Sequence, residues 1–346
     1  MTTRIIVGDC RDVLRTLPEA SVQCCVTSPP YWNLRDYGVD GQIGLEDSVD
    51  EWVRQMVAVF REVRRVLRED GIAWINLGDS YAANRGSGAK GIGAKQATNV
   101  GANLGALKVP IGLKEKDLVA QPWRVALALQ ADGWYWRDTV VWHKANPMPE
   151  SVKDRCTKAW EPVFMMSKSP RYFFDSDAIK EPASEGTHER YAQAKGQPFG
   201  MSNWNRGDGP RDAVGFSKER TVGVGHNARP RKAAPNGSGT KSNASFDAAM
   251  AVMPDFRNKR NVWTIASEPF KEAHFATFPT ALVEPCILAG SRPGDTILDP
   301  FGGAGTTGLV ADRLQRNAIL VELNPEYAEM ARRRLYRDAP LFAEVE

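Results

Sequence analysis

The stretch from Thr296 to Glu322 constrains the fold more than any other part of the chain. Thr296-Ile297-Leu298 is a short apolar run ending in Asp299, and Phe301-Gly302-Gly303-Ala304-Gly305-Thr306-Thr307 follows as a tight turn. Gly308 to Leu314 opens a helix, and Ala318 to Val321 is a second apolar run, ending in Glu322. Strand, glycine turn, helix and strand make a right-handed βαβ unit, which belongs in a doubly wound parallel sheet. Glycines directly after a strand let a ligand approach the backbone closely. Glu322 lies 23 residues beyond Asp299, where a carboxylate can hold a ribose hydroxyl pair. The unit therefore suits a nucleoside cofactor, although glycine-rich turns also occur with no ligand at all. No Gly-Lys-Ser/Thr follows the glycines, so a phosphate loop is disfavoured. The spacing is not Gly-x-Gly-x-x-Gly, so a nicotinamide dinucleotide fits less well than S-adenosylmethionine.

The other end of the chain reads as part of the same sheet. Arg4 to Val7 is a strand closed by Gly8-Asp9, and Val22 to Thr27 is a second buried strand. Trp52 to Leu67 has helical apolar spacing with Asp50 as the expected N-cap, and Ile72 to Leu77 is a third strand. Asn84 to Lys116 is rich in Gly, Ala and Lys and reads as a long mobile loop. Pro122 to Ala131 is an expected helix and Trp134 to Trp142 an antiparallel strand, with further short strands at Phe164–Met166 and Tyr172–Phe174. Helices are expected at Thr280–Ala289 and Pro325–Leu335.

Between them lies a segment of different character. Ser176 to Val262 is rich in Gly, Pro, Asn, Ser and Arg and holds 14 Lys+Arg against 9 Asp+Glu, whereas the remainder holds 31 against 33. The positive excess sits in this one segment, as the electrostatic footprint of a polyanion or as a basic disordered loop. The expected organisation is a main domain of residues 1–175 and 263–346, carrying the mobile loop 84–116, with residues 176–262 as an inserted irregular region.

Several function classes are set aside at this point. No run approaches 18 uninterrupted apolar residues, which argues against a membrane span. The N-terminus lacks the basic, apolar and small-residue regions of a signal peptide, so a cytoplasmic, nucleoid-associated protein of bacterial or phage type is expected. The five cysteines, Cys10, Cys24, Cys25, Cys156 and Cys286, show no Cys-x-x-Cys spacing, and the four histidines no His-Glu-x-x-His, so no metal is expected.

Ser28-Pro29-Pro30-Tyr31 follows the second strand directly. Two prolines cannot continue a central strand, so the chain leaves the sheet there. An exocyclic amine on cytosine or adenine is a poor nucleophile, because its lone pair is delocalised into the ring. A hydroxyl at Ser28 and the carbonyl of Pro29 could accept the amine protons and draw the nitrogen towards sp³ geometry. The proline rings fix the backbone that aims this carbonyl, and Tyr31 could stack on a base rotated out of a duplex. The plainer reading is a Pro-Pro turn with an ordinary buried tyrosine.

Taken in order, the motifs resemble the beta class of DNA amino-methyltransferases, in which the catalytic motif precedes the cofactor motif. The resemblance rests on Gly8-Asp9, Thr27 to Tyr31, Asn76-Leu77-Gly78-Asp79-Ser80-Tyr81 and Val141-Trp142-His143-Lys144-Ala145-Asn146-Pro147. It continues through His274-Phe275-Ala276-Thr277-Phe278-Pro279, Asp299 to Thr307, and Val321-Glu322-Leu323-Asn324-Pro325-Glu326-Tyr327. It implies an α/β fold, a circularly permuted Rossmann-like sheet, with S-adenosylmethionine as cofactor and double-stranded DNA as partner. A cognate restriction endonuclease acting on the same site is a further partner it suggests. Ser28, Pro29, Pro30 and Tyr31 would be catalytic. Asp9 and Cys10 would lie by the adenine, and Phe278 and Pro279 at the methionine end. Asp299, Phe301, Gly303, Gly305, Thr306 and Thr307 would wrap the methionine part, and Glu322 with Asn324 would serve the ribose.

DNA contacts would come from Trp142, Lys144, Asn146, Arg155 and Lys158, and from Arg206, Arg229, Arg231 and Lys232 in the basic segment, which falls where this class keeps its target-recognition region. Trp204 could stack on DNA or pin that segment to the core. Serine at the head of the tetrapeptide resembles the cytosine-N4 enzymes, with adenine N6 as the alternative, since aspartate is more typical there. Cys286 sits in an apolar helical pattern and is expected in the core, not as a nucleophile. His143 is a candidate general base for a reaction that does not strictly need one.

Overall fold

The structure is a computed structural model that describes residues 1–82, 112–183, 255–268, 278–338 and 344–345. The chain divides into two compact units, one of Met1–Lys180 with Asn258–Glu346 and one of Glu181–Arg257.

The large unit is built on one sheet. Its strands are β1 (Thr2–Val7), β2 (Val22–Thr27), β3 (Leu67–Asn76), β4 (Tyr135–Lys144), β5 (Trp160–Ser167), β8 (Val262–Ile265), β9 (Thr296–Asp299), β10 (Asn317–Glu322) and β11 (Glu344–Val345). The order across the sheet is β11-β1-β10-β9-β2-β3-β5-β4-β8. β1, β10, β9, β2 and β3 run parallel, whereas β5 is antiparallel to both β3 and β4. The carboxy-terminal βαβ unit supplies β9 and β10, and the amino-terminal strand β1 adds beside them, so the chain's two ends form one half of the sheet. This is the permuted, doubly wound order expected from the motifs. β9 and β2 are neighbours across the point where strand order reverses, and ligands in open α/β sheets bind at the carboxyl ends there.

Sequence explains most of these elements locally. All six residues of β2 are buried, as a strand covered on both faces requires. Alternate residues of the central strands feed two cores. One packs Cys25, Ala73, Ile75 and Leu298 against α1 (Cys10–Thr16), α2 (Val49–Val66) and α3 (Gln121–Ala131). The other packs Cys24, Ile72, Trp74 and Ile297 against α4 (Thr280–Gly290), α5 (Thr306–Arg313) and α6 (Pro325–Asp338). Along α2 the buried positions Trp52, Met56, Val59, Phe60 and Val63 recur at helical spacing. Its N-cap is Ser48, whose hydroxyl accepts from the Glu51 amide at 3.1 Å. The expected cap, Asp50, instead lies in the first turn, where its charge complements the helix dipole.

Other expectations are also corrected. Tyr172–Phe174 is not a strand. It makes isolated bonds from Phe173 N to Asp70 O and from Asp175 N to Ala289 O, both 2.9 Å, with no ladder. α1, and β11 beyond the last helix, were not anticipated. The small unit holds an antiparallel pair, β6 (Glu181–Pro182) and β7 (Phe256–Arg257), joined by an Arg257–Glu181 ion pair at 2.9 Å. Residues 184–254, and with them Trp204, Arg206, Arg229, Arg231 and Lys232, lie outside the described residues, as do positions 84–111 of the expected mobile loop and His274 to Thr277. No helix among the described residues is long and apolar enough to cross a membrane.

Candidate active site

A cleft of about 380 Å³ opens at the carboxyl ends of β1, β10, β9, β2 and β3. Residues nearly 300 positions apart meet in its walls, with Asp9 and Ser28 on one side of the chain order and Asp299 and Glu322 on the other.

The glycine-rich turn shapes one wall. Gly303 and Gly305 have φ of +49° and +75°, a left-handed conformation that favours glycine, and a Cβ at Gly305 would stand 2.9 Å from the Ala331 Cβ. Asp299 is 1% exposed. Its carboxylate accepts from Thr27 Oγ1 (2.7 Å), Thr307 Oγ1 (2.7 Å) and the Phe301 amide (3.1 Å). Burial pushes its pKa up to about 6 against these three hydrogen bonds. Glu322 accepts from the Gly303 amide at 2.7 Å and the Asn324 amide at 2.9 Å, so one carboxylate pins the turn and still faces the cleft. Burial raises this carboxyl as well.

Asp9 caps α1 and accepts from the amide of Arg11 at 2.8 Å and its Nε at 2.9 Å, with Nη2 on the second oxygen. Burial alone would raise the Asp9 carboxyl, but the Arg11 bonds and charge hold it below the usual range. The buried Cys10 thiol is pushed up to about 12 by burial and then by the Asp9 charge, so it stays protonated. Arg11 was not anticipated. Its Nη2 also donates to Gly41 O at 2.9 Å and ties down the segment Leu34–Ile43, which forms another wall. Tyr37 of that segment meets Tyr327 edge to face at 6.4 Å, and both line the cleft. A signal that could have marked this wall is the set Gly38, Gly41 and Gly44, all at positive φ just after the tetrapeptide.

Most expected cofactor residues line the cleft: Asp9, Cys10, Phe278, Asp299, Phe301, Gly303, Thr306, Glu322 and Asn324. Pro279, Gly305 and Thr307 stand behind its surface. Pro279 is the buried N-cap of α4, Gly305 the N-cap of α5, and Thr307 a donor to Asp299.

On the opposite wall Ser28, Pro29, Pro30 and Tyr31 all face the cleft. The Pro30 carbonyl accepts from the Trp52 indole at 3.1 Å. Tyr31 packs the Cε2 side of its ring against Gly78, where a Cβ would stand 2.3 Å from Cε2. Its hydroxyl donates to Glu161 Oε2 at 3.1 Å, and burial together with the Glu161 charge keeps that phenol protonated. Asn76 Nδ2 donates to Pro162 O at 3.3 Å and Glu161 Oε2 at 3.4 Å. Both of these partners only accept, so Oδ1 of Asn76 must face the Ser28 hydroxyl, 3.5 Å away. Asn76 belongs to the resemblance but Glu161 was missed, because a lone glutamate in a strand carries no motif.

The expected DNA residues are spread more widely. Trp142 and Lys144 line the cleft, with the Lys144 ammonium 4.7 Å over the Trp142 ring and 2.6 Å from Glu161 Oε1. Asn146 is paired with the backbone of Ser267 at 2.7 and 3.2 Å. Arg155 pairs with Glu150 at 2.6 Å and covers the Tyr81 ring at 4.2 Å. Lys158 donates to Asp79 O at 2.5 Å, and burial lowers its pKa. His143 is exposed, 3.2 Å from Thr264 Oγ1, and is not part of the cleft wall. Cys286 is 1% exposed in the core beside α5, as expected.

A glycine-walled cleft with a carboxylate at the end of β10, at the switch point of a permuted parallel sheet, belongs to an S-adenosylmethionine-dependent methyltransferase. The chain belongs to the N6/N4 DNA methylase family, whose sequence profile matches residues 22–333. Among its relatives it is 40% identical to the Type II methyltransferase M.Cfr9I of Citrobacter freundii, over 95% of this chain and 86% of that protein. It is 39% identical to the Type II methyltransferase M.SmaI of Serratia marcescens, over 96% and 91%. Its fold matches the cytosine-N4-specific PvuII DNA methyltransferase, with a TM-score of 0.57 and 19% identity over 96% of this chain and 87% of that one. It also matches a Thermus thermophilus protein described as a DNA modification methylase and crystallised with S-adenosyl-L-methionine. There the TM-score is 0.56 and the identity 24%, over 99% and 97% of the two chains.

Proposed function

We propose that this DNA methyltransferase acts on the exocyclic N4 of a cytosine flipped out of duplex DNA, at a defined sequence. The observation that carries the reading is the Ser28–Asn76 arrangement. A hydroxyl both donates and accepts, so it can accept from an amine only if its own proton is placed elsewhere. Asn76 Oδ1 stands 3.5 Å from the Ser28 oxygen and can take that proton, which leaves a Ser28 lone pair for the amine. A carboxylate at this position would need no such partner. Ser28 and the Pro29 carbonyl then accept the two amine protons, and Tyr31 stacks on the ring. Glu322 holds the ribose, Asp299 and the glycine turn the methionine part, and Asp9 lies by the adenine. The fit of the cofactor rests on the open cleft walled by Phe301, Gly302 and Gly303 and on the Asp299 and Glu322 carboxylates that line it. When bound, S-adenosylmethionine supplies an electrophilic methyl group on a sulfonium. That methyl would pass to the amine nitrogen held by Ser28 and the Pro29 carbonyl, and the nitrogen's surplus proton would go to water.

Lys144 and Asn146 would meet the target strand beside the cleft, with Arg155 and Lys158 further along. The basic stretch 176–262, including Arg206, Arg229, Arg231 and Lys232, would supply target recognition. The Type II names of the relatives support a cognate restriction endonuclease as partner. Expression in a host without DNA methylation, followed by single-molecule sequencing of its genome, tests this reading. N4-methylcytosine at one recurrent sequence is expected, and N6-methyladenine there would overturn the choice of base.

A further inference from the structure

We infer that Glu161 is a positioning residue for methyl transfer, holding Tyr31 as a fixed platform for the target base while Lys144 holds Glu161. The inference rests on the reading of Tyr31 as the stacking residue and extends it to a side chain on a different strand.

Glu161 is the second residue of β5 and stands opposite Trp142 of β4 in the antiparallel register. It lines the cleft with its side chain only 13% exposed. A carboxylate withdrawn from water to this extent is costly unless its oxygens are occupied. Here both are. Oε1 accepts from Lys144 at 2.6 Å, and Oε2 accepts from the Tyr31 hydroxyl at 3.1 Å and from Asn76 Nδ2 at 3.4 Å. The Tyr31 hydroxyl also lies 3.4 Å from Asn76 Oδ1, but it has a single proton, and the nearer, charged acceptor takes it.

Two constraints therefore act on one ring. Gly78 packs against the Cε2 side of Tyr31 with no room for a methyl group, and Glu161 anchors the hydroxyl. Together they fix the height of the ring and its rotation before any base arrives. A free tyrosine at the cleft mouth would have to be ordered by the base, at a cost to binding, whereas this one is pre-organised. The phenol gives up no proton in the reaction, so its hydroxyl serves orientation alone.

The test uses the full-length enzyme with Glu161→Gln, Glu161→Ala, Tyr31→Phe and Tyr31→Ala, and the double variant Tyr31→Phe/Glu161→Ala. Turnover, cofactor affinity and thermal unfolding are measured, together with the fluorescence of 2-aminopurine at the target position. Loss of the anchor lets the ring drift by the order of 1 Å, which can cost roughly 100-fold in rate. Glu161→Ala should therefore lower kcat by about 10- to 100-fold, with S-adenosylmethionine affinity within about threefold of the parent. Glu161→Gln, which keeps an acceptor for the phenol, should fall between, and it carries the test if the alanine variant does not fold. The double variant should be no slower than the slower single variant, because both changes break one contact. Target 2-aminopurine should be brighter with Glu161→Ala than with the parent, since it is no longer held against the ring. Parent-like turnover in both Glu161 variants, losses that multiply in the double variant, or unchanged 2-aminopurine emission would each overturn the inference. Normal turnover in Tyr31→Ala would instead remove the stacking role itself, whatever Glu161 does.

Discussion

Replacing Gly78 by alanine is the sharpest single perturbation of the catalytic wall. The residue is buried after β3 and its φ is outside the left-handed region, so alanine meets no backbone strain there. The obstacle is Tyr31. The added Cβ would stand 2.3 Å from Cε2, 3.0 Å from Cδ2 and 3.1 Å from Cζ of that ring. Carbon atoms in contact settle at about 3.5–4.0 Å, so the ring must retreat by more than about 1 Å. Its hydroxyl is meanwhile held by Glu161, so it tilts away from its platform position. A misplacement of about 1 Å near the chemistry costs on the order of 100-fold, and overpacking itself costs about 1–3 kcal/mol of stability. Gly78→Ala should thus reduce kcat about 100-fold and leave the dissociation constant for S-adenosylmethionine, measured by calorimetry, close to normal. The double variant Gly78→Ala/Tyr31→Ala should be no slower than Tyr31→Ala alone, because the clash disappears with the ring. Near-normal turnover in Gly78→Ala, or further loss in the double variant, would refute the reasoning.

Other predictions concern the cofactor wall and DNA. The Asp299 carboxyl is raised to about 6 in the folded protein, so its contribution to apo stability is full below pH 4 and is lost as pH rises through 6. A shift of about two units corresponds to about 3 kcal/mol, and urea unfolding of the apo protein should show that loss between pH 4 and 6 relative to Asp299→Asn, in which it should be absent. Glu322→Ala removes both the proposed ribose acceptor and the pin on the Gly303 amide, so S-adenosylmethionine binding should weaken by more than about tenfold, as loss of a charged hydrogen bond implies. Arg11→Met frees Asp9 and the Leu34–Ile43 wall, and should raise KM for the cofactor more than it lowers kcat. DNA affinity should fall linearly on a log–log plot against salt, and neutralising Arg229, Arg231 and Lys232 should make that slope shallower.

The sequence revealed the site's chemistry more fully than its architecture. Ser28 to Tyr31 and Asp299 to Thr307 were legible because strand ends, prolines and glycines leave local signals, and the cleft walls contain most of those residues. Arg11, Tyr37 and Glu161 were not. Each acts through a partner that only the folded sheet brings near, as when β5 sets Glu161 opposite Trp142. Helix α1 was missed because seven residues carry too little periodicity, and Tyr172–Phe174 was mistaken for a strand because aromatic content resembles strand composition without a pairing partner. Pro279, Gly305 and Thr307 show the converse, since they belong to the motif yet support the cleft from behind.

Residues from both ends of the chain form one cleft, and the reaction proposed there places a methyl group on a cytosine amine. Methylation of duplex DNA with labelled S-adenosylmethionine and the purified protein, followed by digestion to nucleosides and mass spectrometry, tests it most directly. N4-methyldeoxycytidine carrying the label is expected, formed by the parent protein and lost in Ser28→Ala. C5-methyldeoxycytidine would contradict the mechanism, and N6-methyldeoxyadenosine would contradict the assignment of the base.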